Sequence, residues 1–178
     1  MNDRITFCEQ IHLQQGDITM RITILCVGKI KEKYFTDAIV EYTKRLSRYH
    51  KLEIIEVMDE KTPEGAGEGI KEQILSREGE RILRYLKEDS YVIALAIEGR
   101  ELSSEELAEK LDSLAVLGNS HISFIIGGSL GLSEQIKKCA DYLLSFSKMT
   151  FPHQLMRVVL LEQIYRCCKI SAHEPYHK

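Results

Sequence analysis

The sequence contains no long hydrophobic run. Its most continuous apolar stretches, Tyr91–Ile97 and Val158–Leu161, are far shorter than the roughly 18–20 residues that a membrane-spanning helix needs. The first residues, Met1–Thr19, contain neither an apolar core nor a small-residue cleavage site, so they do not resemble a secretion signal. These absences predict a protein that neither enters a membrane nor is secreted.

Metal-binding cysteine pairs are also missing. The five cysteines show no C-x-x-C spacing, which zinc sites and dithiol redox motifs use; they are Cys8, Cys26, Cys139, Cys167 and Cys168. An odd number of cysteines without a secretion signal is typical of free thiols in a reducing compartment. We therefore expect a cytoplasmic protein without a bound metal, in which the cysteines are small buried hydrophobic side chains.

The net charge is small, −3 over 178 residues, which by itself argues mildly against a nucleic-acid partner. Its distribution is uneven. Lys29–Lys51 carries seven basic and three acidic residues (net +4), Leu52–Val116 eight and seventeen (net −9), and Lys137–Lys178 seven and three (net +4). If the fold brings the two basic segments together, they form a cationic surface for phosphates. If it does not, they are ordinary solvated helix faces.

Apolar spacing alternates between strand and helix periods along the chain. Five short apolar runs predict strands: Ile22–Val27, Leu52–Val57, Tyr91–Ile97, His121–Ile126 and Tyr142–Phe146. Between them, apolar residues recur every three or four positions, which is typical of amphipathic helices. Ser103-x-x-Glu106 is a capping box that predicts a helix start, and Ser133 can cap a short helix over Glu134–Ala140. This alternation predicts an α/β fold in one domain, a mostly parallel sheet with helices on both faces.

The predicted last helix, His153–Ile170, has an unusually broad apolar surface. Its apolar residues cover more than one face: Leu155, Val158, Val159, Leu160, Leu161, Ile164, Tyr165 and Cys168. A helix on the outside of a sheet needs only one apolar stripe. The additional surface suggests a second partner, most simply another copy of the chain.

Two motifs follow predicted strands, where open α/β sheets bind ligands. In Phe124–Gly131 (FIIGGSLG) a strand runs into glycines, which let backbone amides turn toward a ligand. The pattern is not G-x-G-x-x-G, so it supports dinucleotide binding only weakly, and a plain strand-to-helix turn is equally compatible. In Leu143–Gln154 (LLSFSKMTFPHQ) a strand ends in a loop of hydroxyl and aromatic side chains, which suits the edge and faces of a planar ring.

At these motifs the chain resembles the RlmH family, the ribosomal large subunit pseudouridine methyltransferases. The matching stretches are ITILCVGKIKEKY, FIIGGSLGL, LSFSKMTFPHQLMRVVLLEQIYR and the terminal YHK, in the same order and spacing. The resemblance covers Met20 to Lys178. We interpret residues 1–19 as a disordered, non-native or mis-assigned start without a role in the fold, and residues 20–178 as the SPOUT methyltransferase domain.

The resemblance implies a SPOUT fold, in which the C-terminal part of a parallel sheet is threaded into a trefoil knot. It implies a homodimer whose last helices pack near the cofactor sites. It also implies that S-adenosylmethionine is used to methylate N3 of a pseudouridine in 23S ribosomal RNA. The implied cofactor-binding residues are Leu95, Gly127, Phe146, Ser147, Lys148, Met149, Thr150 and Phe151.

Four residues near the implied pocket are candidates for the chemistry: His153, Arg157, Tyr176 and His177. Arg157 can hold a phosphate or a base carbonyl with its fork of donors, and Tyr176 or His177 can contact the base or its proton. The plainer alternatives are a helix-surface ion pair for Arg157 and a helix-start residue without chemistry for His153. The sequence does not identify a general base.

Two other functions stay open at this point. One is a nucleotide-binding α/β protein that uses the glycine turn for phosphates, and the other is a ribosome-associated factor without catalysis. The last residues, Ser171–Lys178, are either a frayed terminus or an RNA-contacting tail that reaches the partner's cofactor in a dimer.

Overall fold

A computed structural model describes residues 19–176. The predicted leading segment, apart from Thr19, and the catalytic candidate His177 lie outside the described residues. Within them, strands and helices alternate as the apolar spacing predicts. In chain order they are β1 (Arg21–Val27), α1 (Lys33–Leu46), β2 (Lys51–Val57), α2 (Glu68–Leu83), β3 (Tyr91–Glu101), α3 (Ser104–Val116), β4 (His121–Ile126), α4 (Glu134–Cys139), β5 (Tyr142–Ser145) and α5 (His153–Ser171).

The strands form one parallel sheet in the order β2-β1-β4-β3-β5. Successive side chains of β1 point to opposite faces, as the strand period requires. Ile24 enters a core formed with α1, α3 and α5, and Leu25 enters a second core formed with α2 and α4. The prediction of a parallel sheet with helices on both faces is confirmed. The trefoil knot stays a prediction.

Helix α5 lies between α1 and α3 and packs against both as well as against the sheet. Its side chains at Leu160, Leu161 and Ile164 are fully buried within the single chain. A helix enclosed on three sides needs a broad apolar surface. The breadth of this surface therefore does not by itself require a second copy of the chain.

The predicted helix starts are confirmed at two caps. Ser103 and Glu106 form the reciprocal capping box at the start of α3, and the Ser133 hydroxyl accepts a hydrogen bond from the Ile136 amide at the start of α4. Each cap satisfies backbone N–H groups that a helix start leaves unpaired. The short helix α4 is thereby fixed directly after the glycine turn.

Strand β3 runs further than predicted, to Glu101 instead of Ile97. Its pairing with β5 shifts between Leu95 and Arg100. A Cβ atom on Gly99 would lie 2.7 Å from the backbone of Leu143, so only glycine allows this close approach. Apolar spacing could not predict this extension, because the added residues follow the apolar run Tyr91–Ile97 and are mostly polar.

The prediction of buried cysteines changes in one detail. Cys26, Cys167 and Cys168 are buried free thiols as expected, but Cys139 at the end of α4 is exposed, because the short helix turns it toward solvent. Cys8 lies outside the described residues.

Within residues 19–176 no helix is long and apolar enough to cross a membrane.

The two basic segments do come together, because α1 and α5 pack side by side. Several of their cations are paired, which reduces the positive potential. The pairs are Lys33 with Asp37, Arg45 with Glu41, Lys137 with Glu98 and Glu134, Arg157 with Glu56, Arg166 with Glu162, and Lys169 with Glu174. Within the described chain, seven exposed cations of the two segments form no ion pair: Lys29, Lys31, Lys44, Arg48, Lys51, Lys138 and Lys148. Unpaired positive charge therefore remains on both basic segments.

Candidate cofactor and active site

A cavity of about 680 Å³ lies at the carboxyl ends of three neighbouring strands, β4, β3 and β5. Its walls are Leu95–Ile97 after the regular part of β3, Ile126–Gly131 after β4, and the loop from Leu144 to His153. Met156 of α5 completes the lining. This volume lies within the range of roughly 300–1,000 Å³ that is usual for small-molecule sites.

The glycine turn after β4 is closed by its own backbone. The Gly131 amide donates to the Gly128 carbonyl over 3.1 Å, and Gly131 has a φ of 88°, which glycine adopts without strain. A Cβ atom on Gly127 would lie 2.3 Å from the Gly131 carbonyl oxygen. Gly127 is thus required by the turn itself, and the turn leaves this wall of the cavity without side chains at its glycines.

The loop after β5 is shaped by two serine hydroxyl groups. The Ser145 hydroxyl donates to the Ser147 carbonyl over 3.2 Å, and the Ser147 hydroxyl accepts from the Met149 amide over 3.0 Å. Such side-chain to backbone bonds replace the ladder that ends with the strand. Met149 is 71 % exposed and Phe151 is 38 % exposed, so apolar side chains stand at the mouth of the cavity.

His153, the first residue of α5, lies where this cavity meets the β1–α1 loop. Its Nε2 is 3.4 Å from the position that a Cβ on Gly28 would occupy. Burial lowers the pKa of His153, and the positive charges of Arg157 and Lys31 lower it further, against an opposing effect of Asp59. His153 is therefore neutral at neutral pH, and a neutral imidazole can accept a proton.

Arg157, one turn further along α5, is 1 % exposed. Its Nη2 donates to the carbonyls of Val27 (2.8 Å) and Gly28 (2.6 Å), and its Nη1 contacts Glu56 Oε1 at 2.5 Å. Glu56 also accepts a bond from the Ile30 amide over 3.1 Å. In this chain Arg157 thus holds the end of β1 and the loop that follows, rather than facing the cavity. The sequence suggested either a contact to a phosphate or base, or a surface ion pair. The ion pair is formed with Glu56, but Arg157 is buried and not at the surface. A role of Arg157 in the chemistry stays a prediction.

Comparison with known proteins identifies the family. The model of a family described as "Predicted SPOUT methyltransferase" matches residues 20–177. The chain belongs to the SPOUT methyltransferase family. Proteins named "Ribosomal RNA large subunit methyltransferase H" are similar to it over 159 residues, 89 % of this chain and all of each relative. The protein from Bifidobacterium adolescentis is 65 % identical, and that from Clostridium novyi is 61 % identical.

Seven of the eight cofactor residues that the sequence suggested for this SPOUT chain line the cavity: Leu95, Gly127, Phe146, Ser147, Met149, Thr150 and Phe151. The eighth, Lys148, is exposed and does not line it. Lys148 lies between Ser147 and Met149, which both line the cavity. The assignment of these residues to the cofactor stays a prediction.

The C-terminal tail after α5 is turned back onto its own chain. His173 has a φ of 52°; its amide bonds to the Ile170 carbonyl and the Glu174 amide to the Lys169 carbonyl, both over 2.9 Å. This pair of bonds around a left-handed residue is a Schellman motif. Glu174 then contacts Lys169 and accepts a bond from the Tyr49 hydroxyl over 2.9 Å. The visible part of the tail is therefore held in place.

Tyr176 packs on α5 and does not line the cavity of its own chain. Its ring centre is 5.0 Å from that of Tyr165 in an edge-to-face arrangement, and the Arg166 guanidinium lies 4.9 Å from its ring centre. Burial, with smaller effects of Tyr42 and Glu162, raises the pKa of Tyr176 to about 12. Its hydroxyl is therefore protonated at neutral pH and cannot serve as a base.

Sequence patterns missed two acidic residues near this site, Glu56 and Glu78. Glu56 precedes the last residue of β2 and pairs with Arg157. The sequence feature that could have identified it is a charged residue at the carboxyl end of a predicted strand. Glu78 is only 4 % exposed on α2. A glutamate inside a charged helix gives no signal of burial, because its position relative to the sheet depends on the tertiary fold.

Proposed function

We propose that this chain uses S-adenosylmethionine to methylate N3 of a pseudouridine in 23S ribosomal RNA, acting as a homodimer in the cytoplasm. The observation that carries the substrate class is the 65 % identity with a ribosomal RNA large subunit methyltransferase H over that relative's whole length. The cavity at the carboxyl ends of β3, β4 and β5 supports the cofactor, since ligands of open α/β sheets bind at this edge.

The lining of the cavity fits the proposed cofactor. Its apolar side chains include Leu95, Ile97 and Met156, which suit the faces of a planar ring and a hydrocarbon chain. Its polar groups are the hydroxyls of the loop after β5 and the peptide groups of the glycine turn, which suit the ring edge and charged ends. The glycines of that turn have no Cβ atom, which allows close backbone approach.

The bound cofactor supplies a methyl group that is already electrophilic. The protein must then position the base, exclude water and help to remove the imide proton from N3, a weak acid. Among the four candidates, His153 alone lines the cavity within the described chain. Its lowered pKa keeps the imidazole neutral, so we assign His153 the role of proton acceptor, directly or through water.

The other candidates take different roles in this proposal. Arg157 positions the β1–α1 loop, whose exposed Lys29 and Lys31 supply charge for RNA phosphates. Tyr176, as a protonated phenol, can donate a hydrogen bond or stack on a base. His177 follows it in the tail and is assigned to RNA contact with it.

The homodimer is supported by apolar surface that one chain leaves uncovered. Ile97 (53 % exposed), Met149 and Phe151 surround the mouth of the cavity, and Leu155 and Val159 at the start of α5 are only half-buried. A second copy would cover this surface. We further propose that the partner's tail completes the site, because Tyr176 of the same chain lies on α5 instead.

The deciding experiment is transfer of labelled methyl groups to ribosomal RNA. Free 23S RNA, isolated large subunits and whole ribosomes are each incubated with the protein and labelled S-adenosylmethionine, and the modified nucleoside is identified after digestion. We expect N3-methylated pseudouridine. Binding of the cofactor without transfer to any RNA would favour a ribosome-associated factor, and calorimetric binding of NAD or ATP instead would favour a nucleotide-binding protein.

A further inference from the structure

A carboxyl group is buried against the glycine turn but outside the cavity lining. It belongs to Glu78 in the third turn of α2 and is 4 % exposed. Burying a carboxyl group is costly unless it makes compensating bonds. None of the roles assigned above uses it, so its position needs a reason.

The contacts of Glu78 join two loops. Its Oε1 accepts a hydrogen bond from the Glu60 amide over 2.9 Å, in the loop after β2. Its Oε2 lies 3.0 Å from the position that a Cβ on Gly128 would occupy, and Val27 is equally close to that position. Oε2 has no hydrogen-bond partner among the described residues. The carboxyl group is thus wedged between the loop after β2 and the turn after β4.

Helix α2 is pressed onto this turn at the next residue as well. A Cβ atom on Gly79 would lie 2.6 Å from the Ser133 hydroxyl oxygen, the group that caps α4. Glycine at positions 79 and 128 therefore permits a close approach that places Glu78 directly behind the cavity wall. The glycines of this wall carry no side chains, so packing at these positions comes from neighbouring elements such as α2.

The surroundings disfavour a charge on Glu78. Burial raises the pKa of Glu78, and the nearby carboxylates of Asp59 and Glu60 add to this effect. The hydrogen bond from the Glu60 amide and the charge of Arg81 oppose it, but Arg81 is itself bound to Glu60 and to the Met58 carbonyl. A neutral amide of the same size should therefore replace this carboxyl group well.

We propose that Glu78 is a positioning residue of the cofactor site, which braces the glycine turn after β4 against the loop after β2. It touches neither cofactor nor RNA and acts by holding the cavity wall. The loop it braces also carries Asp59, which lies beside Gly28. Asp59 raises the pKa of His153 and so opposes the effect of the nearby cations. The brace thus links the cofactor wall to the side of the site where His153 lies. This inference rests on the proposed use of S-adenosylmethionine.

The test compares cofactor binding by four full-length proteins: wild type, Glu78→Ala, Glu78→Gln and the control Glu80→Ala. Glu80 is exposed two residues further on the same helix. Calorimetry is run below the unfolding temperature of every variant. We expect Glu78→Ala to raise the dissociation constant of S-adenosylmethionine about tenfold or more, the usual size for losing a buried hydrogen-bonding group. Glu78→Gln keeps an acceptor for the Glu60 amide and should stay within about threefold of wild type.

The outcomes separate the brace from the proposed function. If wild type does not bind S-adenosylmethionine, the proposed function fails. If wild type binds and a folded Glu78→Ala binds equally well, only the brace is overturned. Equal losses in Glu78→Gln and Glu78→Ala would also overturn it, because rescue by the amide distinguishes the brace from any disturbance at this position. Should Glu78→Ala not fold, Glu78→Asp, which withdraws the carboxyl group by one methylene, replaces it with the same expected loss.

Discussion

The start of α5 is held by buried contacts, and its end is held by contacts at the surface. At its start, Arg157 is buried and bonds to the Val27 and Gly28 carbonyls, and the Gln154 side chain accepts a bond from the Lys31 amide. At its end, the tail is held by Glu174 through contacts at the surface. The start is therefore part of the core, whereas the end is attached to the outside of it.

This difference predicts different consequences of mutation. Polar groups that lose a partner inside a protein cost far more free energy than those that water can reach. Changes at the start of α5 should therefore lower the free energy of unfolding, and activity falls with it. Changes at the end should lower methyl transfer and have only a small effect on the free energy of unfolding.

The largest effect is expected from Arg157→Ala. The variant leaves buried carbonyls of β1 without a donor and Glu56 without its cation, so it should lose about 3 kcal/mol of unfolding free energy. This is the lower end for breaking a buried pair, because Glu56 stays partly hydrated. Urea unfolding measures the loss. Lys33→Ala, which removes an exposed pair with Asp37, is the control and should cost about 0.5 kcal/mol or less. If Arg157→Ala lost as little unfolding free energy as Lys33→Ala, the start of α5 would not be held by buried contacts.

The second effect concerns the tail. Removing Tyr176–Lys178 should lower methyl transfer at least about a hundredfold, as loss of positioned groups at a reaction centre does. Cofactor affinity should not change, since Tyr176 lies outside the cavity. The unfolding temperature should fall only slightly, because the truncation removes the ring contacts of Tyr176 with Tyr165 and Arg166 and leaves the core unchanged. A matching fall in cofactor affinity would instead show that the tail takes part in binding the cofactor.

A mixing experiment sharpens this prediction. The truncated chain is combined with Gly127→Val, whose side chain would collide with the Gly131 carbonyl and deform the cofactor wall. If sites are built from two chains, one site of each heterodimer carries both defects and the other carries neither, so activity returns. Heterodimers that form without activity would contradict a shared site.

Between the two ends, Val159→Asp tests the dimer. Val159 is only half-buried in the single chain, whereas the neighbouring Leu160 is fully buried. A charge at Val159 should weaken dimerisation by about 1–3 kcal/mol without unfolding the subunit, which sedimentation detects as monomers. Leu160→Asp should instead unfold the subunit. Unchanged dimers of a folded Val159→Asp would mean that this part of α5 faces solvent.

A smaller effect is expected from Tyr49→Phe. Only the hydroxyl that donates to Glu174 is lost, and the bond is at the surface, so methyl transfer should fall roughly two- to fivefold. Tyr85→Phe, at an exposed site after α2, is the control. Equal rates for both variants would show that the Glu174 contact does not orient the tail.

The smallest effect is a pH dependence of stability through His153. Its pKa is lowered in the folded protein, so below its ordinary pKa of about 6.5 the unfolded chain binds more protons. The resulting contribution of His153 to the free energy of unfolding is present above that pH, and it is lost as the pH falls toward the pKa of the folded protein. His50 changes in the same direction, so wild type is compared with His153→Gln. The unfolding temperature of wild type should fall relative to that of His153→Gln as the pH falls, and parallel curves would exclude the effect.

Local patterns in the sequence determined much of the fold. Alternation of apolar spacing predicted each strand and helix of the described chain, and Ser103 and Ser133 marked two helix starts through bonds to residues only three positions away. The cavity position also followed, because the carboxyl ends of parallel strands share one edge of the sheet. Each of these features depends on neighbours in the chain or on a general rule of sheet geometry.

Other features were decided only by tertiary structure. The breadth of α5 reflects packing between α1 and α3, and Arg157 is buried because Glu56, 101 residues earlier, and the carbonyls of β1 lie beside it. Glu78 of α2 lies against Gly128 in the turn after β4, and Glu174 accepts a hydrogen bond from Tyr49, 125 residues away. A side chain's partner and its exposure depend on which distant segments the fold brings together, and residue spacing along the chain carries no record of that.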